Sequence, residues 1–156
     1  MLTKPPLILS FMLALSLGAA ESTNRLHFPV SGFSITPLEA PPGERIHQVV
    51  MMWLPPTPAN VNVQIQPYNG TIEEYAALTL KQFKDNKAKL IEQKKVGDSV
   101  FVFEYAGELQ GQSLHWYARA EKSGGRVYLT TGTTMEQQWS KQAAQIKACV
   151  ESCRCD

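Results

Sequence analysis

The sequence predicts an α+β domain in which about six or seven mainly antiparallel strands carry two long helices packed on the sheet. Three observations predict it. Residues 99–134 (SVFVFEYAGELQGQSLHWYARAEKSGGRVYLTTGTT) hold three runs rich in Val, Phe, Tyr, Trp and Thr, parted by glycine-bearing turns at 106–111 and 122–125. Such residues fit a pleated, half-buried surface. Val61, Val63 and Ile65 alternate with Asn62, Gln64 and Gln66, the period of a strand with one wet face. Two further segments repeat apolar residues at helical spacing behind capping signals. Links inside the meander are too short for parallel pairing, which needs a crossover of about a dozen residues or more. No run of alternating strands and helices suggests a doubly wound parallel sheet.

Taken in order, residues 1–20 have the form of an export signal. Lys4 gives a positive start, residues 7–17 (LILSFMLALSL) are apolar apart from two serines, and Gly18-Ala19-Ala20 offers a small-residue cleavage site. The apolar run is too short to span a bilayer, where about 20 residues are needed. No Cys follows Ala20, so no site for a lipid anchor is expected. The expected mature chain is a single domain, 21–156, exported to the periplasm and without a transmembrane span. Of 15 Lys and Arg, removal of Lys4 leaves 15 − 1 = 14, against 14 Asp and Glu. A protein that lives on phosphate backbones carries a strong positive field; with none here, nucleic acid is not an expected partner.

Residues 26–29 and 33–36 flank Val30-Ser31-Gly32 and are expected as two short extended pieces joined by a turn. Pro37, Pro41, Pro42 and Gly43 then bar regular structure. Residues 45–54 (RIHQVVMMWL) are mostly apolar, as in a strand buried on much of both faces, and Pro55-Pro56 and Pro58 stop it. After the alternating strand, Asn69-Gly70 turns the chain into the first helix. Thr71 and Glu74 make a capping box, and Glu73 and Glu74 suit the positive helix end. Ile72, Tyr75, Ala76, Thr79, Leu80 and Phe83 form its apolar stripe, and Asp85-Asn86 end it. Residues 89–96 are a weak strand, placed at an edge where lysines discourage pairing with other chains.

The meander follows, with both helices expected on its inner face. Its middle strand sets Leu114, Trp116, Ala118 and Ala120 on one side and His115, Tyr117, Arg119 and Glu121 on the other, which is assigned to solvent. Thr134 with Gln137 is expected to cap the last helix. Trp139, Ala143, Ile146, Val150 and Cys153, at intervals of four, three, four and three, share one side of it.

The segment NVNVQIQPYNGTIEEYAALTLKQFK with Glu74-Tyr75 near its helix start, the meander EYAGELQGQSLHWYARAEKSGGRVYLTTGTT, and a last helix ending Val150-Glu151-Ser152 together resemble the PsbP-like superfamily. The resemblance covers about residues 33–153, and with an export signal it is similar to the bacterial periplasmic branch that includes DcrB-like proteins. It implies an α/β/α sandwich around an antiparallel sheet and a non-enzymatic binding or accessory protein. Known members include an extrinsic subunit of photosystem II and a nuclear protein that binds a Ran-type GTPase. None of their binding residues matches a position here, and a shared fold does not transfer a partner. The chain departs from its relatives in Cys153, where they place an aromatic, and in the Cys-Arg-Cys tail.

No catalytic residue, cofactor or metal is expected. G-x-S-x-G, H-E-x-x-H and a glycine-rich phosphate loop are all absent. The histidines, His27, His47 and His115, lie far apart, and the only aspartates are Asp85, Asp98 and Asp156. Cys149, Cys153 and Cys155 crowd the C-terminus. In an oxidising compartment one pair can be bridged: Cys149–Cys153 at helical spacing, near the upper limit of Cα separation, or Cys149–Cys155 if the chain turns back. Buried free thiols are the other outcome. His115, Tyr117 and Arg119, joined by Tyr128, are the candidate interface patch, because Tyr and Arg anchor interfaces; cross-strand pairing explains them without a partner. Residues 81–95 hold six lysines against Asp85 and Glu92, a patch for an acidic partner or anionic lipid, or a solvated face beside a protected edge. Met51, Met52 and Trp53 suit a pocket or the core. The leading expectation is an accessory protein whose partner is another protein of the cell envelope. The alternatives are a small-ligand carrier using a pocket between sheet and C-terminal helix, and an enzyme of unrecognised type.

Overall fold

Alternating strands joined by tight turns build the observed sheet, described in a computed structural model for residues 26–28, 32–35, 47–53 and 59–155, with side chains described over 59–155. Residues 1–20, expected as an export signal, the prolines at 37–42 and 55–58, and the side chains of His27, His47, Met51, Met52 and Trp53 lie outside the described residues. The chain divides into two compact units, residues 1–39 and 40–156. In the first, β1 (Leu26–Phe28) pairs antiparallel with β2 (Phe33–Ile35), Leu26 opposite Ile35. Gly32 in the joining turn has φ +70°, a conformation glycine adopts without cost.

The second unit runs β3 (His47–Trp53), β4 (Asn60–Pro67), α1 (Ile72–Asp85), β5 (Lys89–Val96), β6 (Val100–Leu109), β7 (Gln112–Ser123), β8 (Arg126–Met135), a 3-10 turn (Glu136–Gln138) and α2 (Trp139–Ser152). Every strand pair is antiparallel, in the order β3-β4-β8-β7-β6-β5. The five strands β4–β8, rather than six or seven, carry the helices; β3 lies along β4 at the outer edge. The expected capping box is present: Thr71 Oγ1 accepts from the Glu74 amide at 3.2 Å and Glu74 Oε2 from the Thr71 amide at 2.8 Å. β5 is the expected edge, exposed throughout and bulged between Leu90 and Glu92.

The helices do not share one face of the sheet, as the sequence suggested. Ile72, Tyr75 and Ala76 of α1 pack with Phe101, Phe103, Ala120 and Val127, while Ile146 and Val150 of α2 pack with Val61 and Tyr117. Neighbouring residues of a strand point to opposite sides, so Tyr117 and Ala118 mark two covered faces and a three-layer α/β/α arrangement. The link from β4 to β5 explains α1: these strands lie at opposite ends of the five-strand body, and the helix carries the chain across one face. The α2 terminus also differs. Thr134 does not cap it; its hydroxyl donates to Gln142 Oε1 at 2.5 Å, and the 3-10 turn leads into α2 with no side-chain cap on Gln138.

Candidate functional site

A lone carboxylate inside the apolar run of β6 organises the layer under α2. Glu104 is 7% exposed. Its Oε1 faces His115 Nε2 at 3.1 Å and accepts from Trp139 Nε1 at 3.1 Å; its Oε2 accepts from Lys147 Nζ at 2.6 Å. His115, 3% exposed, stacks on the Trp139 indole with ring centroids 3.8 Å apart, and its Nδ1 faces Glu136 Oε2 at 2.8 Å. The Lys147 ammonium also lies 5.0 Å from the Tyr117 ring centroid. Burial opposes the Glu104 charge, but hydrogen bonds from Lys147 and His115 outweigh it and hold the carboxyl below the ordinary glutamate value. Tyr117 donates to Glu151 Oε1 at 2.5 Å. Burial, and next that bond to an acid, pushes its phenol well above the usual tyrosine value. Every charged member of this cluster is tied to another element of the fold, so the cluster fixes α2 on the sheet.

Beyond Tyr117 the same face opens into a cavity of about 270 Å³ between β5–β7 and the last turn of α2. Val96, Val100 and Val102 give it an apolar lining, Val96 being 45% exposed; Lys94, Arg119, Arg154 and Glu151 line it as well. Arg119 is paired with Glu121. Arg154 donates through Nη1 to the carbonyls of Glu151 and Cys153, closing the end of α2. Lys94 has no ion pair or hydrogen bond among the described residues.

The geometry joins what comparison with known proteins finds. A family model described as PsbP matches residues 49–155, well over half of the chain. The chain belongs to the PsbP family. Among solved structures it is similar to a Pseudomonas aeruginosa protein of unknown function, PA94, proposed to be a regulator, at 14% identity and TM-score 0.62, covering 80% of this chain and 92% of that one. It is also similar to the cyanobacterial PsbP (CyanoP) of Synechocystis sp. PCC 6803, at 19% identity and TM-score 0.45, covering 60% and 65%. No curated protein matches.

Within this PsbP domain the expected surface patch is not a surface. His115 and Tyr117 are buried beneath α2, and the Arg119 side chain is only 11% exposed. Arg119 and Tyr128 do share a face, since Glu121 pairs with Tyr128 and Arg119 with Thr130 across β7–β8, but that face is the covered one. The sequence reading missed Glu104, Glu136 and Lys147. The available signal was Glu104 itself, a single charge inside VFVFEYA, because a carboxylate in a central strand needs a partner. All three cysteines are free thiols, half-buried. Burial pushes Cys155 up to about 11, helped by the Glu121 carboxylate, and burial raises Cys149 as well. In the lysine-rich segment Lys81 pairs with Asp85 and Lys95 with Glu73. Among the described residues no helix is long and apolar enough to cross a membrane, and no group of three or more His, Cys, Asp or Glu is placed to hold a metal ion.

Proposed function

We propose that this chain is an exported, non-catalytic binding or accessory module that serves another protein of the cell envelope, in the periplasm. The observation that carries this reading is how the titratable groups are used. Catalysis needs an acid, base or nucleophile within reach of a substrate. Here Glu104 and His115 are buried beneath α2 and tied to Lys147 and Trp139 of that helix, and the Cys155 thiol is held far from thiolate formation. The N-terminal export pattern and the PsbP family match support the same reading. Affinity capture from an envelope extract, with the tagged chain as bait, is expected to retain a defined partner. Turnover in a broad hydrolase screen that is lost in His115→Ala would overturn it.

A second reading, a small-ligand carrier, is favoured by one observation. The cavity lies between the sheet and the end of the C-terminal helix, the place such a ligand would occupy.

A further inference from the structure

The cavity at the end of α2 combines an apolar floor with cations that the fold leaves unneutralised. Of its four charged residues, three are basic and one acidic. The acid, Glu151, is engaged by the Tyr117 hydroxyl. Arg119 is balanced by Glu121. Lys94 has no partner among the described residues, and Arg154 uses only Nη1, on two main-chain carbonyls. A guanidinium carries five donors in a planar fork, so most of the Arg154 donor set is open to a ligand. Both cations line the cavity together with the three valines. A volume of about 270 Å³ falls just under the range of roughly 300–1,000 Å³ typical of small-molecule clefts.

We propose that this cavity is a binding site for a small carboxylate bearing an apolar body, with Lys94 and Arg154 on the carboxylate and Val96, Val100 and Val102 beneath the body. The proposal rests on the binding reading above and names what that site takes. A carboxylate matches the fork of Arg154 in geometry and charge. The valine floor disfavours a fully hydrated anion, because burying charge beside apolar surface without an apolar payload gains nothing from the floor. Arg154 is positioned by the end of α2, and Lys94 by the alternation of β5, which puts it on the side of Val96 and away from Lys95. The site therefore exists only where α2 is seated.

The test uses the full-length protein and phenylacetate as probe, followed by calorimetry and by amide chemical shifts. Controls are phenethylammonium (the same body with reversed charge), acetate (the charge without the body) and inorganic phosphate. Phenylacetate is expected to bind and to move the amide signals of Val100 and Val102, more tightly at low salt than at high salt, and more tightly than any control. The double variant Lys94→Glu with Arg154→Glu alters side chains at the cavity rim, and its circular dichroism is expected to match the parent. It should weaken binding at least about tenfold. Equal binding of phenethylammonium, equal binding of acetate, tighter binding of phosphate, or a folded double variant with unchanged affinity would each overturn the assignment. Failure of phenylacetate to bind while an envelope protein is still captured would remove this site and leave the binding reading standing.

Discussion

Gly132→Ala tests how closely α2 sits on the sheet. Gly132 lies on β8 between Val61 of β4 and Tyr117 of β7. A Cβ there would stand 2.2 Å from Ile146 Cγ2 and 3.2 Å from Val150 Cγ2. Carbon atoms ordinarily approach to about 3.5–4.0 Å, so the first overlap exceeds an ångström. Ile146 is buried, and a β-branched side chain in a helix has essentially one rotamer. Relief must come from lifting α2, which also strains the Trp139–His115 stack and the Lys147–Glu104 contact. The φ of Gly132 lies outside the left-handed region, so backbone strain adds nothing. Overpacking costs about 1–3 kcal/mol, and the coupled contacts put this case near about 3. At roughly 3–5 °C per kcal/mol for a domain of this size, Tm should fall by about 9–15 °C. Thermal and urea unfolding followed by circular dichroism measure it. Ile146→Ala alone should cost about 2–5 kcal/mol; combined with Gly132→Ala it removes the overlap, so the double loss should undercut the sum by about 1 kcal/mol or more. A Gly132→Ala loss below about 0.5 kcal/mol, or strict additivity, would refute the close seating of α2.

Three further outcomes are expected. The Glu104 carboxyl titrates below its unfolded value of about 4.3; its contribution is complete above that value and is lost as pH falls through the folded one. Glu104→Gln should therefore flatten the acid limb of the stability–pH curve, and an unchanged limb would contradict the network. Thr130 is buried with its hydroxyl unpartnered, so Thr130→Val, which removes a buried polar atom at constant shape, should raise stability by about 1 kcal/mol; a loss in urea unfolding would show that the hydroxyl is paired. Cys155, pushed up to about 11, should be alkylated slowly by iodoacetamide near about pH 8 in the native state and quickly after unfolding, when its pKa returns to about 8.5. Mass spectrometry reads the sites, and equal native and unfolded rates at Cys155 would refute the buried environment.

Most of the fold was legible because its local signals agree with one another. The Thr71 and Glu74 cap, the alternation of Val61, Val63 and Ile65, and the edge lysines of β5 each specify an element without reference to anything distant. What was not legible is which layer covers which face. On β7 the alternation is plain, yet His115, Tyr117, Arg119 and Glu121 have the composition of a wet face, and only the seating of α2 decides that they are buried. The error at the start of α2 has the same origin. Thr134 and Gln137 satisfy a local capping pattern, but the Thr134 hydroxyl is used across to Gln142, a contact made only when the chain continues through the 3-10 turn. The sequence suggested a pocket between the sheet and the C-terminal helix but not its lining, because Lys94, Arg119 and Arg154 come from three separate stretches of the chain.

The two faces of the sheet are built from different chemistry, and that difference bears on function. The α1 side is aromatic: Phe83 packs edge-on to Phe103 at 5.8 Å, and Tyr105 stacks on Trp116 at 5.1 Å. Such a layer is held by area, and area alone tolerates small slides of a helix. The α2 side buries Glu104, His115, Thr130, Thr134 and Gln142, and directional bonds fasten the helix at three successive levels: Trp139 and Lys147 donate to Glu104, and Gln142 accepts from Thr134. The paired members of this layer admit few alternative seatings, because each slide would leave a buried group without its partner. Tyr117 then fixes Glu151 at the far end of the same helix, one turn from where Arg154 closes it. The buried charges thus act at a distance from any ligand. They set where the last turn of α2 stands, and with it the spacing of Arg154 from Lys94 across the valine floor.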